Sequence, residues 1–222
     1  MSVHLLHELN RLQHDLLALS ARVEGMLLDA VRAFDHRDFA LARQVINLDD
    51  GVDHTEVEIE EECLKILALH QPVATDLRFI VSVLKINNDL ERIADLAVNI
   101  AERTLALGTL PPQTGTPFNF HDMAAKVQRM VNMSLDALIQ RDAAQAREVI
   151  EADEEIDVLH RAMYDRVGAA ISAHPGHAPA LLQLISISRN LERISDHATN
   201  IAEDVIYLLE GEIVRHQHPE KS

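Results

Sequence analysis

The feature that most constrains this chain is an internal duplication. Residues 89–102 and 190–203 agree at ten of fourteen aligned positions, from Leu90 and Glu91 against Leu191 and Glu192 through to Ala101 and Glu102 against Ala202 and Glu203. The match extends upstream, where Arg37 and Asp38 align with Arg141 and Asp142, and Ala40, Ala42 and Arg43 with Ala144, Ala146 and Arg147. The offset is 104 residues at Asp38 and Asp142 and 101 at Glu91 and Glu192. The three-residue deletion falls near Pro175, in a turn, where length changes are tolerated. A chain of this kind folds as two copies of one unit.

Apolar spacing says what the unit is. Leu5, Leu9, Leu12, Leu16, Leu19, Val23, Leu27 and Val31 recur at threes and fours, the signature of an amphipathic helix. Asp38 is placed to cap a second helix through Leu41, Val45, Leu48, Val52 and Ile59 to about Leu69, stopped by Pro72. A third helix begins near Thr75 and ends by Gly108. The second copy predicts helices from about Phe120 to Ile139, from Asp142 to about Ala173, and from about Ala178 to Gly211. The expected fold is all-α, a tandem repeat of two three-helix bundles with six long helices. Residues 1–108 form the first unit, 109–117 a Pro- and Gly-rich linker, 118–215 the second unit and 216–222 a polar tail.

Each duplicated stretch carries an oxygen-rich stripe. Glu91, Asp95, Asn99 and Glu102 share one helical face, as do Glu192, Asp196, Asn200 and Glu203. The second helix of each unit adds Asp49, Asp53, Glu56 and Glu60, matched by Asp153, Asp157, His160 and Tyr164. The two Asp positions repeat and the later two drift. Like charges at this spacing repel, and the cost rises when water is excluded. Arg92 and Arg193 lie at the stripe edges and offset part of it. One such stripe alone reads as a solvated face. Its recurrence on two helices in both copies points instead to cations held between helices, and all-oxygen donor sets suit magnesium, manganese or iron. Four carboxylates exceed what one ion neutralises, so clusters of two or more ions are expected.

Composition excludes other classes. The 222 residues carry a formal net charge of −16, against nonspecific binding to nucleic acid or anionic lipid. The single Cys63 precludes an intrachain disulfide and agrees with a reducing compartment. No apolar run spans a bilayer, and residues 1–15 interleave polar groups with leucine unlike a signal peptide, so a cytoplasmic protein is expected. No Gly-x-x-x-x-Gly-Lys loop is present. A di-metal carboxylate enzyme would use Glu-x-x-His pairs; the nearest approach is Asp157-x-x-His160, without a partner in the other unit. His197, replacing Leu96, is expected at the surface, as is Arg78.

The Glu-Arg-Ile-x-Asp runs at Glu91–Asp95 and Glu192–Asp196, each with Asn four residues on, and Gln71-Pro72-Val73-Ala74-Thr75-Asp76-Leu77-Arg78 resemble the PhoU family over essentially the whole chain. Ala94 and Ser195 stand where that family usually has Gly, and the second unit lacks a counterpart of the Pro72–Arg78 segment. The resemblance implies two three-helix bundles side by side, often as a homodimer, and multinuclear metal clusters, with iron first and zinc, manganese or magnesium as alternatives. The implied ligands are Asp49, Asp53, Glu91, Asp95 and Asn99 in one unit, and Asp153, Asp157, Glu192, Asp196 and Asn200 in the other. It implies a non-enzymatic negative regulator of the phosphate-starvation response and modulator of phosphate uptake. Such a protein joins the phosphate ABC transporter ATPase to a sensor histidine kinase and meets the membrane only through those partners. The rival readings are the di-metal enzyme and a metal-free acidic helical scaffold.

Overall fold

The computed structural model describes residues 3–110 and 118–214. Most of the expected linker and the whole of the 216–222 tail lie outside the described residues. Six long helices account for nearly all the rest: α1 Val3–His36, α2 Phe39–His70, α3 Thr75–Gly108, α4 Phe120–Gln140, α5 Ala143–Ala173 and α6 Ala178–Glu210, with one 3-10 turn at Pro175–His177. That turn occupies the site of the deletion inferred from the repeat.

The helices start and stop for local reasons that repeat between units. Asp38 accepts hydrogen bonds from the backbone N–H of Ala40 and Leu41, both at 3.0 Å. Asp142 does the same for Ala144 at 2.9 Å and Gln145 at 3.1 Å. Each satisfies donors that a helix start leaves unpaired. The residue before each cap, Arg37 or Arg141, adopts positive φ (51° and 55°), closing the same tight turn twice.

All eight periodic residues of α1 are buried, Leu5 through Val31. On α2 the expectation holds for Val45, Val52 and Ile59 but not for Leu48, which is 47% exposed. Gly51, an oddity inside α2, offers its carbonyl to Arg22 Nη1 of α1 at 2.7 Å. Within each unit the three helices pack pairwise, and α3 and α6 share the most extensive helix pairing of all. They run antiparallel: Lys85 meets Asp204, while farther along α3 Asp89 meets Asn200 and His197. The two bundles therefore do not merely stand side by side; their third helices form one central layer. At 25 cal/mol per Å², an order-of-magnitude coefficient, each buried Leu or Ile of this core contributes about 2 kcal/mol.

The seam between α3 and α6 carries polar pairs, one of them at a histidine expected at the surface. His197 is not at the surface; its Nδ1 lies 2.7 Å from Asp89 Oδ1, and the imidazole is 18% exposed. Lys85 Nζ lies 3.0 Å from Asp204 Oδ1, a carboxylate only 2% exposed. Arg78 is also not free: its guanidinium is half-buried beside Gly211, the left-handed residue ending α6. His70 is paired with Glu8 of α1 at 2.6 Å.

Removing either repeated cap tests whether the units are stabilised alike. Asp38→Ala and Asp142→Ala should each lower unfolding free energy by about 1 kcal/mol, measured by urea denaturation. A large loss for one and none for the other would show that the two turns are not equivalent.

Candidate functional site

Sequence spacing puts the carboxylates on stripes; packing decides what the stripes face. In the first unit α2 and α3 bring Asp49, Asp53 and Glu56 within electrostatic reach of Glu91, Asp95 and Glu102. In the second, α5 and α6 bring Asp153 and Asp157 against Glu192 and Asp196. Each set sits in the seam between the second and third helices of its unit. Fully buried Ala94 and Ser195 keep those helices close. Ser195 gives its hydroxyl to the Glu192 carbonyl at 2.7 Å and lies beside Asp153.

The electrostatics follow. Burial first, then Asp53 and Asp95, push the Asp49 carboxyl above its ordinary range. Burial and Asp95 do the same to Glu91, with Arg92 opposing. In the second unit burial raises Glu192 and Asp196, with Asp196 and Asp157 respectively as the leading like-charge neighbours. Asp153 is pushed up to about 6 by burial and by Asp196 and Asp157, against a lowering contribution from Ser195. Arg92 offsets part of the first stripe, at 3.0 Å from Asp95 and 3.1 Å from Glu91. It does not fully satisfy it. Asp49 Oδ1, Glu91 Oε2 and Asp153 Oδ1 are buried without an aligned hydrogen-bond donor. Glu91 Oε2 is thus ion-paired at its edge yet lacks a well-directed N–H.

The two expected asparagines lie one turn beyond these carboxylates. Asn99 is half-buried. Asn200 turns toward the other unit, its Nδ2 donating to Asp89 Oδ1 at 3.2 Å. Two residues outside the expected ligand sets do join. Glu56 is an electrostatic neighbour of Glu91, and Asn87 Nδ2 donates to its Oε1 at 3.2 Å and to its carbonyl at 2.9 Å. His160, its counterpart, lies next to Asp157; burial lowers its basicity, and Arg189 adds to that while Asp157 opposes. The signal for both was in the repeat: Glu56 with Asn87 becomes His160 with Ser188, a paired change at equivalent positions. The Asp89–His197 contact had a similar signal, since both positions are mismatches in the duplicated stretch.

The donor chemistry fits metal. Buried carboxylate oxygens without an aligned donor, from Asp49 and Glu91 in the first unit and Asp153 in the second, are what a cation would satisfy. Among the described residues no three His, Cys, Asp or Glu side chains converge on one point as they stand, so an ion would have to gather them by side-chain rotation. Cys63 is no rival nucleophile; it is fully buried and its thiol is pushed up to about 12.

A raised carboxyl means the fold holds its proton more tightly than the unfolded chain does. The resulting stability is complete below the unfolded value near 3.8 and is lost as pH rises through about 6. Asp153→Asn should therefore stabilise chelator-treated protein at pH 7.5 by about 1 kcal/mol, a figure reduced for the water this carboxyl retains. The gain should shrink as pH falls below 6. A gain independent of pH in urea unfolding would contradict this account.

The sequence matches the PhoU domain twice, over residues 16–104 and 120–205. It is 39% identical to the phosphate-specific transport system accessory protein PhoU homologue of Aquifex aeolicus, covering 96% of both chains. It is also 39% identical to the homologue from Pseudomonas aeruginosa, covering 94% of this chain and 86% of that one. The crystal structure of PhoU from Pseudomonas aeruginosa superposes with a TM-score of 0.88 at 38% identity, covering 93% of this chain and 99% of that one. The phosphate transport system regulatory protein PhoU from Streptococcus pneumoniae gives 0.83 at 30% identity, covering 95% and 99%. Among the described residues no helix is long and apolar enough to cross a membrane. With both repeats matched and the six-helix architecture shared, the chain belongs to the PhoU family.

Proposed function

We propose that this chain is a non-enzymatic cytoplasmic regulator of phosphate uptake and a negative regulator of the phosphate-starvation response. It works as a homodimeric adaptor between the phosphate ABC transporter ATPase and a sensor histidine kinase. The observation carrying this reading is the match over both repeats to relatives named as accessory proteins of phosphate-specific transport, at 39% identity and 96% coverage. The long helices offer extended faces for protein partners, and the net charge of −16 favours basic partner surfaces over nucleic acid.

The acidic seams are proposed to hold multinuclear metal clusters, with iron first and zinc, manganese or magnesium as alternatives. Asp49, Asp53, Glu91, Asp95 and Asn99 would hold one, and Asp153, Asp157, Glu192, Asp196 and Asn200 the other, Asn200 through the oxygen left free by its bond to Asp89. When bound, the metal neutralises the carboxylates and ties the second helix of each unit to the third. Asp49, Glu91 and Asp153 would contribute buried oxygens that lack an aligned hydrogen-bond donor, that of Glu91 already ion-paired with Arg92.

Deleting the gene in its host should derepress phosphate-starvation genes in phosphate-rich medium, and the full chain should retain both the transporter ATPase and the kinase in pull-downs. Retention of neither would refute the adaptor. For the metal, elemental analysis of protein purified without chelator should find several ions per chain, lost from an Asp95→Asn/Asp196→Asn double variant. Equal metal content in both proteins would refute these ligands.

A further inference from the structure

The chain has five phenylalanines, two tyrosines and no tryptophan. Four of the five phenylalanines, Phe34, Phe39, Phe118 and Phe120, line a single cleft of about 620 Å³. It lies where the ends of α1 and α3 meet the starts of α2, α4 and α6, so both units build it. Clefts of this size at junctions between structural units are preferred seats for small ligands. The duplication shows that helix packing alone does not require these rings. Leu138 and Ala143 stand in the second unit where Phe34 and Phe39 stand in the first, and the Asp-capped turn forms in both.

Ring geometry and charge say what the cleft fits. Phe120 packs edge-to-face on Phe34, with ring centroids 5.3 Å apart, and on Phe118 at 5.4 Å. Phe118 and Phe120 are buried and anchor the cluster; Phe34 and Phe39 are half-buried and keep ring surface open to the cleft. Phe39 lies against Gly108, where an added Cβ would come within 2.6 Å of the ring, so only a residue without a side chain lets it rest on the end of α3. Two acidic or basic pairs could meet a ligand at the rim. Asp35 is already engaged, its Oδ2 3.1 Å from His121 Nδ1. Arg37 is not: among the described residues no carboxylate pairs with its guanidinium. Its backbone is held at φ 51° in the turn before Asp38. The first turns of α4 and α6 reach the cleft at Phe120 and Ala180 with the partial positive charge of helix starts, while the ends of α1 and α3 carry the opposite sign, so Arg37 decides the charge of the ligand.

We propose that this cleft binds a small planar aromatic carboxylate, its ring among Phe34, Phe39 and Phe120 and its anion on the guanidinium of Arg37. A single negative charge matches the single unpaired cation, and the net charge of −16 disfavours more highly charged ligands. Because both units line the cleft, a bound ligand touches the two at once and stabilises their junction. The site is separate from the acidic seams and depends on neither the metal reading nor the adaptor reading.

Amide NMR titration of the full chain with 2-naphthoate tests this, with saturable shifts expected at Phe39, Gly108 and Phe120. Cyclohexanecarboxylate keeps the anion without the aromatic rings, and 2-naphthylmethylamine keeps the rings with the opposite charge. Each should bind at least about tenfold more weakly than 2-naphthoate. Phe34→Leu, copying the second unit, should weaken naphthoate binding by about 3–10-fold, and Arg37→Gln by about 10–100-fold. Arg141→Gln, at the equivalent turn away from the cleft, should leave binding unchanged. Equal binding of the saturated acid or of the amine would overturn the ligand class. Shifts confined to other parts of the chain, or no saturable shift with 2-naphthoate, would overturn the site. The three titrations of the wild type decide between these results whether or not any variant folds.

Discussion

Burying α3 against α6 fixes which way the acidic stripes of those two helices face. One face of each helix is committed to the other unit through Lys85–Asp204 and Asp89–His197. Each stripe must then point to the side, into the seam with α2 or α5. Those pairs are themselves demanding. A carboxylate as buried as Asp204 is tolerable only when a cation and hydrogen bonds meet it, and losing one partner leaves a charge stranded in low dielectric. The polar seam thus specifies how the two units pair, while the surrounding Leu, Ile and Ala contribute most of the binding free energy between them.

The duplication supplies an internal comparison. Features kept in both units answer to shared needs: the Asp caps, the left-handed Arg before each, the two leading Asp positions on the second helix, and a small residue where the second and third helices approach. Features that differ show where the copies have diverged. Asp89 with His197 has no mirror image, because the equivalent residues are Asn190 and Leu96. Glu56 with Asn87 and His160 with Ser188 are a second such divergence, in which both sides of a contact changed together.

Unsatisfied carboxylates set the character of the candidate site. A folded chain seldom leaves buried acceptors without donors, and here three carboxylate oxygens without an aligned donor lie in two equivalent seams. Protonation relieves part of the cost as pH falls, and burial with Asp196 and Asp157 nearby pushes the Asp153 carboxyl up to about 6. A cation bound there, as proposed, would relieve it at physiological pH and link two helices. The same carboxylates would then couple that cation and the proton to the spacing of the second helix from the third.

Much of the fold was legible in the sequence because a 3.6-residue apolar period, a capping Asp and a stopping Pro are local properties. They set the six helices, the repeat and the membership of each stripe. Leu48 shows the limit: it satisfies the period yet lies exposed, since period marks a face but not its partner. Tertiary packing alone decided that α3 and α6 pair antiparallel, that His197 and Arg78 turn inward, that Asn200 reaches across to Asp89, and that Glu56 and His160 join the acidic seams. Those facts depend on which helix covers which face, a choice made by side chains far apart in the chain. Only the paired mismatches between the two copies hinted at it.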